Sequence, residues 1–488
     1  MQRFPVFAGL LCLAVCSLGQ QGATPSKSAA ISGSYSDDIS HIVGTIMTRG
    51  GASAFLEMLT DTVGGRVTGS PECKAAADLI LRTLKQGGYD NAHFEEYTLE
   101  SRWKRGPATG RVISPVDRPL FVGSYAWVPG TAGRIEAQLV DLGAATAQDI
   151  QTGSANLRGA AVIVEPREVP GTPSIVQRAL IAKQLAEAGA AVMVIPSDKP
   201  NRMVYTSAFG FYPRGVLPVI SVAREDSLFL RRLLAKGPVR VALDVQNSFD
   251  MSASLERNVV AELPGSDPGG IVLLGAHFDS WDPAQGANDD GSGVAAVLEA
   301  ARVMKSLGIK PRHTIRFVFF SGEEEALLGS RAYVRAHQSE MDKFRAAIIM
   351  DEGAQAPHGF EVQSRTDLKA SLEATLAPLA PLGANHLSLE GSFDQDHAPF
   401  LAVGVPAMTL WVDPGEYDIH HHSITDTFDK VDPRMLSVDS AVMAVAAYLI
   451  ANADQAPGAR LPQSDVDQLL NKMGLESTYR AVYQLDSH

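Results

Sequence analysis

The sequence predicts an α/β protein, a sheet with helices on both faces, interrupted by a smaller inserted β-rich domain. Three observations carry this. Short apolar runs beyond residue 257 (NVVAELPG, IVLLGAHFD, TIRFVFFSG, AAIIMDEG) alternate with helical stretches such as GVAAVLEAARVMKSLG, the pattern of strands packed between helices. From Pro107 to about Asp244 the texture changes to short β-like runs rich in Gly and Pro. At 488 residues the chain also exceeds one ordinary core, so several domains are expected.

In chain order, Arg3 precedes an apolar run from Phe4 to Leu18 and a small, polar stretch, SLGQQGATPSKS. That run is too short to span a bilayer and reads as a secretory signal over residues 1–22. Export is therefore expected, to the periplasm or outside, or to the lysosome in a eukaryote. Lipoprotein anchoring at Cys16 is the alternative, against which the bulk of Val15 counts. Cys12 and Cys16 fall in this segment, leaving Cys73 without an intramolecular partner and reading as a small buried hydrophobe. Residues 40–106 open the main domain, with helices in AFLEMLTDTV and CKAAADLILRTLKQGGY around the breaker GGRVTGSPE. The insert, 107–245, carries GRIEAQLVDLG, GAAVIVEP, AAVMVIP and LPVISV as strands and Ala179 to Gly189 as a helix. The main domain resumes over 246–453, and 454–488 form a helical extension without recognisable chemistry. No segment after the signal is expected to have the length and apolarity of a membrane span.

Lys+Arg 42 against Asp+Glu 55 leaves a net charge of −13, which excludes a broad nucleic-acid-binding surface. An evident Arg cluster for phosphate is missing too, which counts against a two-metal phosphatase or nuclease.

The chemistry gathers where apolar runs end. His277 closes IVLLGA and Asp279 lies two residues on, so an imidazole can bind metal through one nitrogen while the carboxylate holds the other. In GANDDGSG, Asp289 and Asp290 are adjacent carboxylates before a helix. Their repulsion suits a cation, while helix capping is the bland reading. Both hold at once if Asp290 or Ser292 caps and Asp289 bridges two metals. Glu323 to Glu325 follow TIRFVFFSG, where bare carboxylates would suffer desolvation. One can ligate and a neighbour act as general base. Asp351 ends AAIIM, and His420, His421 and His422 offer imidazoles, with Asp426 as a support for His422. Two histidines with carboxylates suit Zn²⁺, with Mn²⁺ or Co²⁺ as alternatives.

In order and spacing, HFDSWDPAQGANDDGSG, SGEEEALLGS, IIMDEG and HHHSITDT resemble the M28 family of co-catalytic zinc peptidases, and GGRVTGS and FYPRGVLPVISV extend the likeness. The resemblance implies a mixed twisted sheet of the zinc aminopeptidase/phosphorylase kind and a protease-associated-like insert beside the active site. It implies two Zn²⁺ per subunit: His277 and Asp351 on one, Glu324 and His422 on the other, Asp289 bridging. Glu323 would be the general base and Asp279 the carboxylate behind His277. The register of the glutamates follows from Gly329 and Ser330, and that of the histidines from Asp426-Thr427. Small peptides are the implied substrates, dipeptides with a free amino terminus foremost, and a homodimer is implied by analogy. Glu325 and the C-terminal extension depart from the family pattern. The competing expectations are an aminopeptidase on longer peptides, a one-zinc glutaminyl cyclase and a non-catalytic receptor-like ectodomain.

Overall fold

A computed structural model describes residues 33–167, 169, 174–209 and 215–483. The expected signal segment, with Cys12 and Cys16, lies outside the described residues, as do Phe211 to Arg214 of the insert motif.

The larger sheet has eight strands in the order His93–Leu99, Ser254–Leu263, His313–Phe320, Asp267–His277, Phe344–Ile349, Ala407–Val412, Pro357–Glu361 and His386–Ser388. Its central strands run parallel, while Ser254–Leu263 and His93–Leu99 pair antiparallel at one edge. The sheet is thus mixed and flanked by helices, as the sequence predicts.

Burial explains the strand sequences. Along Asp267–His277, Val272 and Leu274 face one helical layer, and Ile271 and Leu273 face the other. A strand covered on both faces needs no polar alternation, so it reads as a continuous apolar run. The first layer contains Gly33–Arg49, Ala52–Thr62, Ser292–Ser306 and Pro433–Asn452. The second contains Leu328–Ala336 and Ala398–Ala402, with Val466 and Leu470 of the C-terminal helix Gln463–Met473 packed into it. The extension is therefore part of the core. Cys73 is fully buried in the helix Pro71–Gln86, consistent with a hydrophobic role.

Pro433–Asn452 corrects one expectation, since it has the length and apolarity of a membrane span. Its window is 78% buried within the protein. It is apolar nearly all round because it is enclosed by the sheet and neighbouring helices, the condition under which a core helix loses its polar stripe.

A second eight-stranded sheet arises between residues 108 and 245, in the order Arg118–Leu120, Ala108–Ser114, Arg240–Val245, Ile135–Asp141, Ala161–Ile163, Val192–Pro196, Val219–Val222 and Val122–Ser124. Helices accompany it too, including Ser174–Glu187 and Arg224–Leu234. The chain enters and leaves this region through a two-stranded ribbon in which Phe249 pairs with Trp103. Trp103, Trp127 and Trp281 share a buried cluster where the two sheets meet.

Candidate metal centre

The parallel strands end at a common rim, the usual place for ligands in an open α/β sheet. His277 is the last residue of its strand, Asp351 follows Phe344–Ile349 by two residues, and Glu323 and Glu324 follow His313–Phe320 by three and four. Asp289 sits in the turn entering the helix Ser292–Ser306, and His422 in a loop after Ala407–Val412. Sequence separations of up to 145 residues collapse into one buried pocket.

Within it, Asp289 spans the two imidazoles. Its Oδ1 lies 3.2 Å from His277 Nε2 and its Oδ2 lies 3.0 Å from His422 Nε2. Asp351 Oδ1 is 3.1 Å from His277 Nε2, and Glu324 Oε2 is 3.1 Å from His422 Nε2. Two donor sets result, each of one imidazole and two carboxylates, sharing Asp289. Donors about 2.0–2.1 Å from a tetrahedral zinc stand roughly 3.3 Å apart, so each imidazole–carboxylate pair has the spacing of two donors on one zinc. The donor atoms of His277, Asp290 and Asp351, and those of Asp289, His421 and His422, also lie within 4.8 Å of one another. Glu324 Oε1 is buried with no hydrogen-bond partner among the described residues, a further sign that a cation belongs there.

Charge tells the same story. Burial pushes the Glu324 and Asp351 carboxyls up, to about 7 and about 6, with Asp289 adding to the effect in both. Burial opposes protonation of His277 and His422, yet the surrounding carboxylates overcome it and hold both imidazoles well above the ordinary range. This much negative charge in a dry site calls for positive charge from somewhere.

Asp290 does a different job from its neighbour. It accepts the backbone N–H of His277 (3.2 Å) and of Gly293 (2.9 Å), tying the strand end to the helix start. A Cβ at position 293 would collide with that carboxylate, so glycine is required there. Asp290 lies close to His277 and Asp351, but these bonds occupy it.

Asp279 is fully buried. His277 Nδ1 is 3.1 Å from its backbone carbonyl and 3.5 Å from its carboxylate. The same carboxylate accepts the N–H groups of Glu323 (3.3 Å) and Glu324 (3.2 Å), so it links both donor sets. Glu323 places Oε2 3.9 Å from His277 Nε2 and lines the cavity. Burial, with Asp351 and Glu324, raises its carboxyl despite His277. Glu325 turns elsewhere, its Oε1 accepting the indole N–H of Trp127 (2.8 Å).

Asp426 does not support His422. Its carboxylate accepts the backbone N–H groups of Asn288 and Asp289, setting the bridging turn. The partner of His422 Nδ1 is the Tyr205 hydroxyl, at 3.0 Å. Of the other two histidines, His421 lines the cavity with an imidazole lowered to about 3, by burial and then by His422. His420 bonds Thr425 instead.

Sequence reasoning assigned no role to Arg66, Thr68, Tyr205 or Tyr417. The Arg66 guanidinium is buried and donates to the carbonyls of Phe278 (2.5 Å), Gln285 (2.6 Å) and Gly286 (2.8 Å), bracing the loop between His277 and Asp289. Thr68 donates to Asp279 Oδ2 (2.9 Å), and Tyr417 to the carbonyl of Asp351 (3.2 Å). The breaker GGRVTGS marked a turn but not these roles, because apart from Gly64 the acceptors of Arg66 and Thr68 lie more than 200 residues away.

The cavity over this centre measures about 360 Å³ and is also lined by Glu352, Asp394, Gln395, Tyr417 and Asp418.

Comparison with known proteins converges on one family. The model for peptidase family M28 matches residues 258–447. Carboxypeptidase Q from Mus musculus is 29% identical over 408 residues, covering 82% of this chain and 85% of that protein. The solved peptidase M28 precursor from Shewanella amazonensis superposes with a TM-score of 0.78 at 29% identity, covering 88% of this chain and 99% of that one. BSAP, a zinc aminopeptidase from Bacillus subtilis, shares the fold at a TM-score of 0.65 and 21% identity, covering 84% and 97%.

Proposed function

We propose that the chain is a peptidase of the M28 kind, as its similarity to that family supports, and specifically a two-zinc exopeptidase that hydrolyses small peptides, dipeptides with a free amino terminus foremost. Peptidase chemistry follows from the family; the substrate size, the metal count and the residue roles are our reading. The observation that carries it is Asp289, with one carboxylate oxygen on each imidazole.

In this reading His277 and Asp351 hold one zinc, His422 and Glu324 the other, and Asp289 is shared. Zinc bound there supplies Lewis acidity, polarising a carbonyl and making water a nucleophile near neutral pH. Glu323 takes a proton from the attacking water and returns it to the leaving amine, for which a raised carboxyl in a dry site is suited. Asp279 fixes the His277 tautomer and the Glu323–Glu324 backbone together. The neutral His421 stands on the cavity wall as a donor for developing negative charge.

Two features support small substrates. A volume of about 360 Å³ lies near the lower end of the roughly 300–1,000 Å³ usual for small-molecule sites. Glu352 and Asp394, beyond the proposed ligands, favour an ammonium group. Carboxypeptidase Q is a relative whose likeness extends along most of the chain, and an exported protein is the corresponding expectation. The region 107–245 we read as the inserted domain that walls the site.

Purified protein assayed on free dipeptides, N-blocked dipeptides and longer peptides, with zinc content measured in parallel, tests this. We expect two zinc per chain and turnover of free dipeptides that blocking abolishes. Equal or faster turnover of longer peptides would replace the dipeptidase reading with an aminopeptidase.

A further inference from the structure

The two imidazoles of the centre are supported differently. His277 Nδ1 faces Asp279, which belongs to the same strand end of the larger sheet. His422 Nδ1 faces Tyr205, which belongs to the other sheet's region, 217 residues away in sequence. The Tyr205 backbone is fixed to that second sheet, its N–H donating to Ser221 Oγ (3.1 Å) in Val219–Val222. Nearby, Ala126 donates to the carbonyl of Ser207 (3.0 Å).

The same segment holds the His422 backbone. Tyr205 forms an antiparallel bridge with Ser423. The N–H and hydroxyl of Thr206 both donate to the carbonyl of His422, at 2.9 and 3.1 Å. His422 has φ +53, a left-handed conformation that a non-glycine residue adopts at a cost and keeps only when its surroundings enforce it. Thr206 provides the enforcement through the carbonyl, and Tyr205 through the ring.

The chemistry of the ring gives this contact a consequence. An imidazole that binds metal through Nε2 carries its proton on Nδ1 and needs an acceptor there. Around His422 the carboxylates of Asp289 and Glu324 are on the Nε2 side, and Tyr205 Oη is the group at Nδ1.

We propose that Tyr205 is a positioning residue for the second zinc: it accepts the His422 Nδ1 proton and aims Nε2 at Asp289 and Glu324. The second sheet thereby completes a metal site whose donors all belong to the first. Filling of that site and docking of the two sheets are coupled. The proposal rests on the two-zinc reading above.

The test uses full-length protein and Zn²⁺, with both dissociation constants measured by competition against a chromophoric chelator. His422→Ala identifies which zinc depends on that imidazole. Tyr205→Phe keeps the ring beside Tyr125 and removes only the hydroxyl. We expect it to weaken the zinc that His422→Ala removes by about 10–100-fold, the usual effect of losing an outer partner of a ligand, with the other zinc unaffected. The variant's loss of Tm relative to wild type should be larger with zinc bound than after chelator stripping, since the hydroxyl also acts through the bound ion. Wild-type zinc constants in Tyr205→Phe would overturn the proposal. So would an equal loss of stability with and without zinc, which marks a purely structural contact. A single zinc in wild type would refute the two-zinc reading instead. Tyr205 would then be judged on the zinc sensitive to His422→Ala, and a zinc insensitive to that change would refute it too.

Discussion

Asp289 and Asp290 show how finely residues divide the work in this centre. One carboxylate has an oxygen on each imidazole, and the next is consumed by two backbone N–H groups. The glutamates divide similarly: Glu324 meets His422, Glu323 lines the cavity, and Glu325 bonds Trp127. Glu323 makes no ligand-like contact as short as those of Asp289, Asp351 or Glu324, its nearest imidazole nitrogen being 3.9 Å away. On the two-zinc reading, Glu323→Gln should therefore keep both zinc ions and lower kcat by about 10²–10⁴-fold, the range for a lost general base. Metal analysis beside steady-state kinetics checks this, and unchanged kcat would remove Glu323 from the mechanism. Most of these residues were legible in sequence because polar groups ending apolar runs are conspicuous. Tyr205 and Arg66 were not, since their partners lie more than 200 residues away and neither segment shows periodicity.

Elements join through contacts of their own, and one is tuned by pH. His337, just past the helix Leu328–Ala336, bonds Glu95 on the edge strand His93–Leu99 at 2.9 Å and Glu340 at 2.9 Å. The bond to Glu95 raises the His337 imidazole above its usual range. Burial pushes Glu95 up, but His337 outweighs it and holds the carboxyl below its usual range. For the raised histidine, the stabilisation is complete below the ordinary imidazole range and vanishes as pH rises through the folded value. For the depressed glutamate, it is complete above the ordinary carboxylate range and vanishes as pH falls through the folded value. The pair is thus strongest between those ranges, at about pH 5–6. His337→Gln should lower Tm by roughly 1–3 °C there and by progressively less toward pH 9. A deficit independent of pH would show that packing on Tyr333, and not charge, is what His337 provides. At this scale the helices of residues 52–86 were plain from apolar spacing and a glycine stop. Strands such as Ala161–Ile163 and Val219–Val222 are buried along their whole length. They show no alternation, so their sheet order was not readable.

For the molecule as a whole, metal and fold are parts of one equilibrium. The sequence displayed the rim of the larger sheet, because its strands are long and apolar, but not the joint at which the second sheet meets it. That joint is made of side chains from distant segments, including the three-tryptophan cluster and the Tyr205 contact. The centre beside it buries four carboxylates, Asp289, Glu323, Glu324 and Asp351, around two imidazoles, and like charges so placed oppose compaction unless cations offset them. A ligand that binds only the folded state stabilises it by RT ln(1 + [L]/Kd), about 4.1 kcal/mol at a thousandfold excess over Kd. Stripping zinc with a chelator should then lower Tm by several degrees, and added zinc should restore it. The variants sharpen the expectation. Glu323→Gln should retain the zinc-dependent gain, because its ligands are intact. Asp289→Asn should lose most of it, because both donor sets share that carboxylate. Thermal melts of the three proteins with zinc and with chelator, zinc content verified in each, decide the matter. An Asp289→Asn protein that still gains the full wild-type increment would show that the bridge is not what couples metal to stability.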